Sequence, residues 1–270
     1  MFYKKTVKNY WFLLLPALIT GCQTAATIKL PSAQAEAIKT VRIVPIEAPP
    51  LEVLPDLLET RMPNYAHDFN MVLPDTTEDT VYRNPGGILI AGKVGHGDSV
   101  ETVDFSENGN VSSQAHHWTP TLELSASAQA QLDAAQIKTD LNEQVARLPL
   151  ADKKRTAYIG HWRDAVARWY DQNAATSVNQ EDAADAVLEV GIGRYRIFEG
   201  QTSLQVLIKL IDGRSGRVLA KTSRNTMVSG DVTTALLYPE GERFKTLIRE
   251  KGARLMAEAI QDIGLAPMRL

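Results

Sequence analysis

Ser203-Leu204-Gln205-Val206-Leu207-Ile208-Lys209-Leu210-Ile211-Asp212 alternates two sets of side chains. In an extended chain Leu204, Val206, Ile208 and Leu210 share one face, and Gln205, Leu207, Lys209 and Ile211 share the other. Asp212-Gly213-Arg214-Ser215-Gly216 then reads as a turn, and Arg217 to Met227 returns as a strand. Upstream, Asp185 to Phe198 is a strand of similar length. The three together predict an antiparallel meander, around which the remaining elements have to pack.

Working outward, Ser125 to Leu148 is expected to be one helix. Ala134, Ile137, Leu141, Val145 and Leu148 step by three or four, Ser125 or Ser127 can cap its start, and Pro149 stops it. A second helix is expected from about Asp152 to Ala174, with Tyr158, Trp162, Val166 and Trp169 on one stripe. The last starts near Pro239, buries Phe244, Leu247, Ile248, Leu255, Ala259 and Ile263, and ends before Gly264. Val41 to Ile46 is the first strand, and Pro45 ends it or places it at an edge. Five prolines between Glu47 and Asp79 break up regular structure, although Leu54 to Arg61 could form two helical turns. Gly87 to Val94 is a strand candidate. Val100 to Ser106 and Val111 to Trp118 flank Asn108-Gly109, a strong hairpin signal because both residues tolerate positive φ. The expected fold class is α+β, sandwich-like: a mostly antiparallel sheet with an Asn-Gly hairpin and a carboxy-terminal meander, covered by two to three helices.

Composition narrows the class. The 270 residues are 44% apolar and 23% charged, with 29 basic against 32 acidic side chains. Such a chain is neither collagen-like nor wholly disordered, and it lacks the basic excess of a nucleic-acid binder. A single cysteine excludes an internal disulfide framework and a Cys-rich zinc site.

That cysteine carries the clearest motif. Lys4, Lys5 and Lys8 precede a short apolar run, Trp11 to Ile19, which at about 1.5 Å per residue falls well short of a ~30 Å hydrocarbon core. The run closes with Leu18-Ile19-Thr20-Gly21-Cys22, which resembles the lipobox of bacterial lipoprotein precursors. The resemblance implies a signal peptide over 1–21, cleavage between Gly21 and Cys22, and lipidation of Cys22, whose thiol accepts a diacylglyceryl group and whose triacylated form carries palmitate-type chains. Gln23 rather than Asp in the next position implies an outer-membrane destination. Removing 21 residues and three lysines would leave 26 basic and 32 acidic groups, a formal −6. The acyl chains rather than the protein surface would then hold the bilayer. Residues 22–40 read as the lipidated Cys and a flexible tether, with a reach of roughly 23 Å for about 17 residues. Residues 41–270 read as one periplasmic α/β domain with an irregular insertion around 47–124.

The order of strand, helices, meander with Asp-Gly-x-x-Gly in its turn, and closing helix resembles an α/β domain. That domain is shared by the curli secretion-channel lipoprotein, the amino-terminal domain of TolB and the lipoprotein activators of penicillin-binding proteins. The residues carrying it are Val41 to Ile46, Ala184 to Gly191 and Val206 to Val218, with Gly86 to Leu124 departing from it.

Residues with potential chemistry have plainer readings. Gly87 to Lys93 has P-loop spacing, but Ile88 to Ile90 should be a strand and Val94 offers no hydroxyl to Mg²⁺. Asp104, Ser106 and Asn108 mimic a calcium loop, yet Ala115 stands where a bidentate Glu is needed. His116 and His117 point to opposite faces of a strand, and joining either to His67 or His96 would require a tertiary arrangement. His161 beside Trp162 reads as packing or rim. The acids Asp98, Glu101, Asp104 and Glu107 read as a solvated strand edge. Once Cys22 is acylated no thiol nucleophile is left, and no Gly-x-Ser-x-Gly elbow exists. Expected catalytic residues, metal ligands and cofactors are therefore none. Trp162, Trp169, Tyr170 and Tyr238 are the candidate partner-binding residues, with core packing as the competing reading of the tryptophans. The expected function is an outer-membrane lipoprotein acting as a non-catalytic binding or assembly factor. Its partners would be the membrane, through Cys22, and another envelope protein or cell-wall component, with no nucleic acid or nucleotide. A periplasmic hydrolase, with or without a metal, and a subunit of an oligomeric secretion complex are the alternatives.

Overall fold

The computed structural model describes residues 27–49, 51–54, 81–83, 88–90, 118–150, 159–174, 184–198, 201–229, 236 and 242–265. Their order is α1 (Ser32–Ala37), β1 (Thr40–Pro45), β2 (Leu51–Leu54), β3 (Val81–Arg83), β4 (Ile88–Ile90), α2 (Pro120–Ala134), β5 (Lys138–Leu141), α3 (Ile159–Asp171), β6 (Ala186–Phe198), β7 (Gln201–Asp212), β8 (Val218–Ser229) and α4 (Glu242–Asp262). The class is α+β, as the patterning predicts.

The meander β6-β7-β8 is present, with antiparallel ladders running almost the full length of each strand. Its Asp212 turn forms as expected: the Asp212 carboxylate accepts from the backbone N–H of Ser215 at 2.6 Å and Arg214 at 3.2 Å. The sheet is more mixed than the sequence suggests. On its side away from β7, β6 pairs in parallel with β1 over its first half and with β2 at its end. β5 adds in parallel to β1, β4 in parallel to β2, and β3 antiparallel to β4. β1 therefore lies inside the sheet, and Pro45 marks its end rather than an edge, because the missing N–H falls on its last residue.

Helices cover both faces. α2 and α4 pack over one, burying Leu124, Leu132, Phe244, Ile248, Leu255 and Ala259 against Ile43, Leu188, Val206 and Ile208. α3 covers the other, placing Trp162, Val166 and Trp169 against Val44, Val187, Leu207 and Ile211. The two faces of β7 separate as its alternation dictates.

The helix expected over 125–148 is a correction. It starts earlier, with the Thr119 hydroxyl accepting from Leu122 N–H and Pro120 in the first turn, and it ends at Ala134. Gln136 then takes a left-handed φ of 63°. The N–H of Gln136 reaches Asp133 O and that of Ile137 reaches Leu132 O, while Leu132 and Ile137 are buried in one core. These are the paired bonds and apolar contact of a Schellman stop, after which Lys138–Leu141 pairs with β1. α4 ends the same way at Gly264 (φ 83°), the residue whose lack of Cβ makes that turn inexpensive.

The tether is also shorter than expected. Ile28 exchanges backbone hydrogen bonds with Lys221 on β8, and Leu30 N–H reaches Ile263 O. Leu30 and Ile38 are buried. Their apolar side chains, isolated in a polar stretch, dock residues 27–40 on the domain. The Asn-Gly hairpin, the 104–115 loop, His67, His96, His116, His117, Tyr238, the turns over 55–61 and residues 1–26 lie outside the described residues.

Candidate functional site

Trp162, Trp169 and Tyr170 lie in the core at 0%, 1% and 5% exposure, which corrects their reading as partner anchors. Their role is to seat α3. Glu189 on β6 lies directly opposite Lys209 on β7, and Lys209 directly opposite Lys221 on β8, so three charged groups form a row across the sheet beneath α3. Two facing lysines repel. Here the repulsion is met from three sides. Lys209 Nζ lies 3.0 Å from the Glu189 carboxylate, with both side chains fully buried, and donates to Trp169 O at 2.9 Å. Lys221 Nζ donates to Tyr170 O at 3.2 Å. These carbonyls belong to the last turn of α3, where intrahelical partners run out and cations are favoured. The ammonium groups also stand 5.0 Å and 4.9 Å from the ring centroids of Trp169 and Tyr170. Trp169 Nε1 closes the arrangement by donating to Glu189 at 2.7 Å.

Titration reflects this burial. Loss of solvent lowers the proton affinity of Lys209, an effect that Glu189 opposes. Burial, reinforced by Asp171, raises the Tyr170 hydroxyl to about 12. Gly191 lies under the indole: a Cβ there would stand 2.5 Å from Trp169 Cη2. The ion-pair row is committed to holding a helix.

A second polar group of residues is open. In β6, Ala186, Leu188, Val190 and Ile192 face the α2/α4 core, and so do Tyr195 and Ile197. The parity changes because the β6/β7 register slips between Ile192 and Arg194, at Gly193. A bulge of this kind re-aims the side chains that follow it. Without it Arg194 and Arg196 would point into the main core. With it they emerge on the α3 face and line a cleft of about 350 Å³ together with Glu52 of β2, Arg163 of α3, Gly193 and Gln205. Arg163 grips Glu52 through two contacts of 2.9 and 2.7 Å. Arg194 and Arg196 have no acidic partner among the described residues, and Arg196 Nε is buried without a hydrogen bond. Gly193 keeps the floor low, since a Cβ there would stand 2.6 Å from Gln205 Oε1.

None of the candidate residues read from the sequence that lie among the described residues lines this cleft. Its signal was the phase break at Gly193 in an otherwise alternating strand, followed by arginines two residues apart. Gly87 to Lys93, with its P-loop spacing, does contain a strand at Ile88–Ile90, as expected. His161 sits half-buried on α3.

An α+β domain with a cationic cleft at a strand bulge is the class that fold and site define. No protein-family model and no curated protein matches the sequence. Among solved structures, the chain is similar to the PelC dodecamer protein of Paraburkholderia phytofirmans, with 11% identity and a TM-score of 0.35 over 88% of this chain and 96% of that one. It is also similar to lipoprotein GNA1162 of Neisseria meningitidis, with 13% identity and a TM-score of 0.28 over 79% of this chain and 96% of that one. No helix among the described residues is long and apolar enough to cross a membrane.

Proposed function

We propose that the chain is an outer-membrane lipoprotein whose periplasmic domain binds another envelope component without catalysis. The observation that carries this reading is the closeness of the lipidation motif to the folded body. Only six residue steps separate Cys22 from Ile28, which is hydrogen-bonded to β8. At ~3.3–3.6 Å per residue the fully extended link spans about 20 Å, so an acylated Cys22 would hold the domain close to the lipid surface. A binding role rather than a catalytic one is supported by how the ionisable groups are engaged. Glu189 and Lys209 are enclosed beneath α3, and Glu52, the one carboxylate among the described residues that line the cleft, is held by Arg163. What the cleft offers to solvent is cationic hydrogen-bond donors, suited to recognition. The test is palmitate labelling and membrane fractionation of the wild type and Cys22→Ser. Wild type is expected to be labelled and to sediment with outer membranes, while the variant accumulates as unlabelled precursor. Normal processing of Cys22→Ser would refute the proposal.

A further inference from the structure

We infer that the cleft between β2, β6, β7 and the first turns of α3 binds a tetrahedral oxyanion of the phosphate class. The inference rests on the reading of the domain as a binding module and names the ligand of its open polar site.

Charge comes first. Among the described residues, Arg163, Arg194 and Arg196 against Glu52 leave the cleft with two uncompensated positive charges, in a mature chain that would carry a formal −6. Such a local excess concentrates anions against the overall field. Geometry then selects among them. A carboxylate's two oxygens can be engaged by a single guanidinium, as those of Glu52 already are by Nη2 of Arg163. Arg194 and Arg196 are two further guanidinium groups on one face of one strand, about 6.6 Å apart by strand rise. Both can reach one ligand only if it presents oxygens in more than one plane, which a phosphate does and a carboxylate does not. The Arg196 Nε–H is the independent sign that something is missing. A buried donor without an acceptor is uncommon in a folded protein, and an oxyanion oxygen in the cleft would supply it. Gln205 adds an amide at the floor, its position made available by the absence of a Cβ at Gly193. Two sources present this chemistry near an anchored domain: free inorganic phosphate, and the phosphate of a lipid headgroup.

The test uses the lipidated full chain in neutral detergent, titrated calorimetrically with inorganic phosphate, with glucuronate, and with micelles carrying phosphatidic acid. Saturable binding of phosphate or phosphatidic acid is expected, weakened at least tenfold in Arg194→Gln/Arg196→Gln and unchanged in Arg168→Gln, an exposed control on α3 outside the cleft. Tighter binding of phosphatidic acid than of phosphate identifies a headgroup as the source, and the reverse identifies the free ion. Gly193→Ala, which leaves every charge in place, should weaken binding by displacing Gln205. Preference for glucuronate over both phosphates, equal binding by wild type and the double variant, or no binding at all would overturn the inference. Loss of lipidation in a Cys22→Ser chain leaves this titration interpretable, so failure of the anchor and failure of the cleft are separate results.

Discussion

Replacing Lys209 by Met tests the account of how α3 is held. Met keeps most of the apolar stem and removes only the charge, so packing volume changes little. Four interactions vanish: the 3.0 Å pairing with Glu189, the 2.9 Å bond to Trp169 O, a 3.5 Å bond to Ala174 O and the contact with the Trp169 ring. The first dominates. A buried carboxylate deprived of its cation costs about 3–5 kcal/mol, whereas a lost hydrogen bond from a charged donor to a carbonyl costs about 1.5–3 kcal/mol. For a domain of this size each kcal/mol moves the midpoint by about 2–4 °C, so a fall of about 6–20 °C is expected by thermal unfolding followed through tryptophan fluorescence. Adding Glu189→Gln should recover at least half of the loss. The neutral amide no longer requires a cation and can still accept from the Trp169 indole, as expected when a buried pair is removed as a unit. A loss under about 1 kcal/mol in the single variant, or no recovery in the double, would refute the view that Glu189 and Lys209 depend on one another.

Three further outcomes follow from the same geometry. Gly191→Ala should cost about 1–3 kcal/mol by thermal unfolding, because the new methyl meets the rigid edge of the Trp169 indole rather than a flexible side-chain end. Gln136→Gly should stabilise by about 0.5–1 kcal/mol in urea titration, the relief of a left-handed residue less the entropy of glycine. The pH profile should be two-sided. Lys209 has its folded affinity for protons lowered, so the unfolded chain binds more protons and stability rises with pH up to the ordinary lysine value of 10.5. Tyr170 is raised from 10.0 to about 12, so the unfolded chain loses its proton first and stability falls across that interval. Melting curves from pH 7 to 12 should show both limbs, and Lys209→Met should lose the rising one.

Much of the fold could be read from the chain because its strongest periodicities are also its longest elements. The period-two alternation of Ser203 to Asp212 assigns Leu204, Val206, Ile208 and Leu210 to one core and Leu207 and Ile211 to the other, and the structure agrees. What misled was accidental periodicity. Ile137, Leu141, Val145 and Leu148 continue the helical spacing of α2, and no glycine or asparagine marks the stop, since Gln136 adopts the left-handed turn instead. The parallel pairings of β1, β2, β4 and β5 are non-local, and short strands carry no sign of their partner. The burial of Lys209 was hidden for a related reason. A lysine on the minor face of a strand reads as solvated, and only the helix closing over it, with Glu189 opposite, makes it interior. The arginine cleft depends on a one-residue slip at Gly193, which reverses the facing of Arg194, Tyr195, Arg196 and Ile197 in β6.

The envelope assignment turns on one covalent event, and intact-mass spectrometry of the chain purified from its native membrane reads it directly. A polypeptide beginning at Cys22 and heavier than its sequence by a diacylglyceryl group plus an amide-linked acyl chain is the expected result. A mass corresponding to an intact Met1 and an unmodified Cys22 thiol would contradict it.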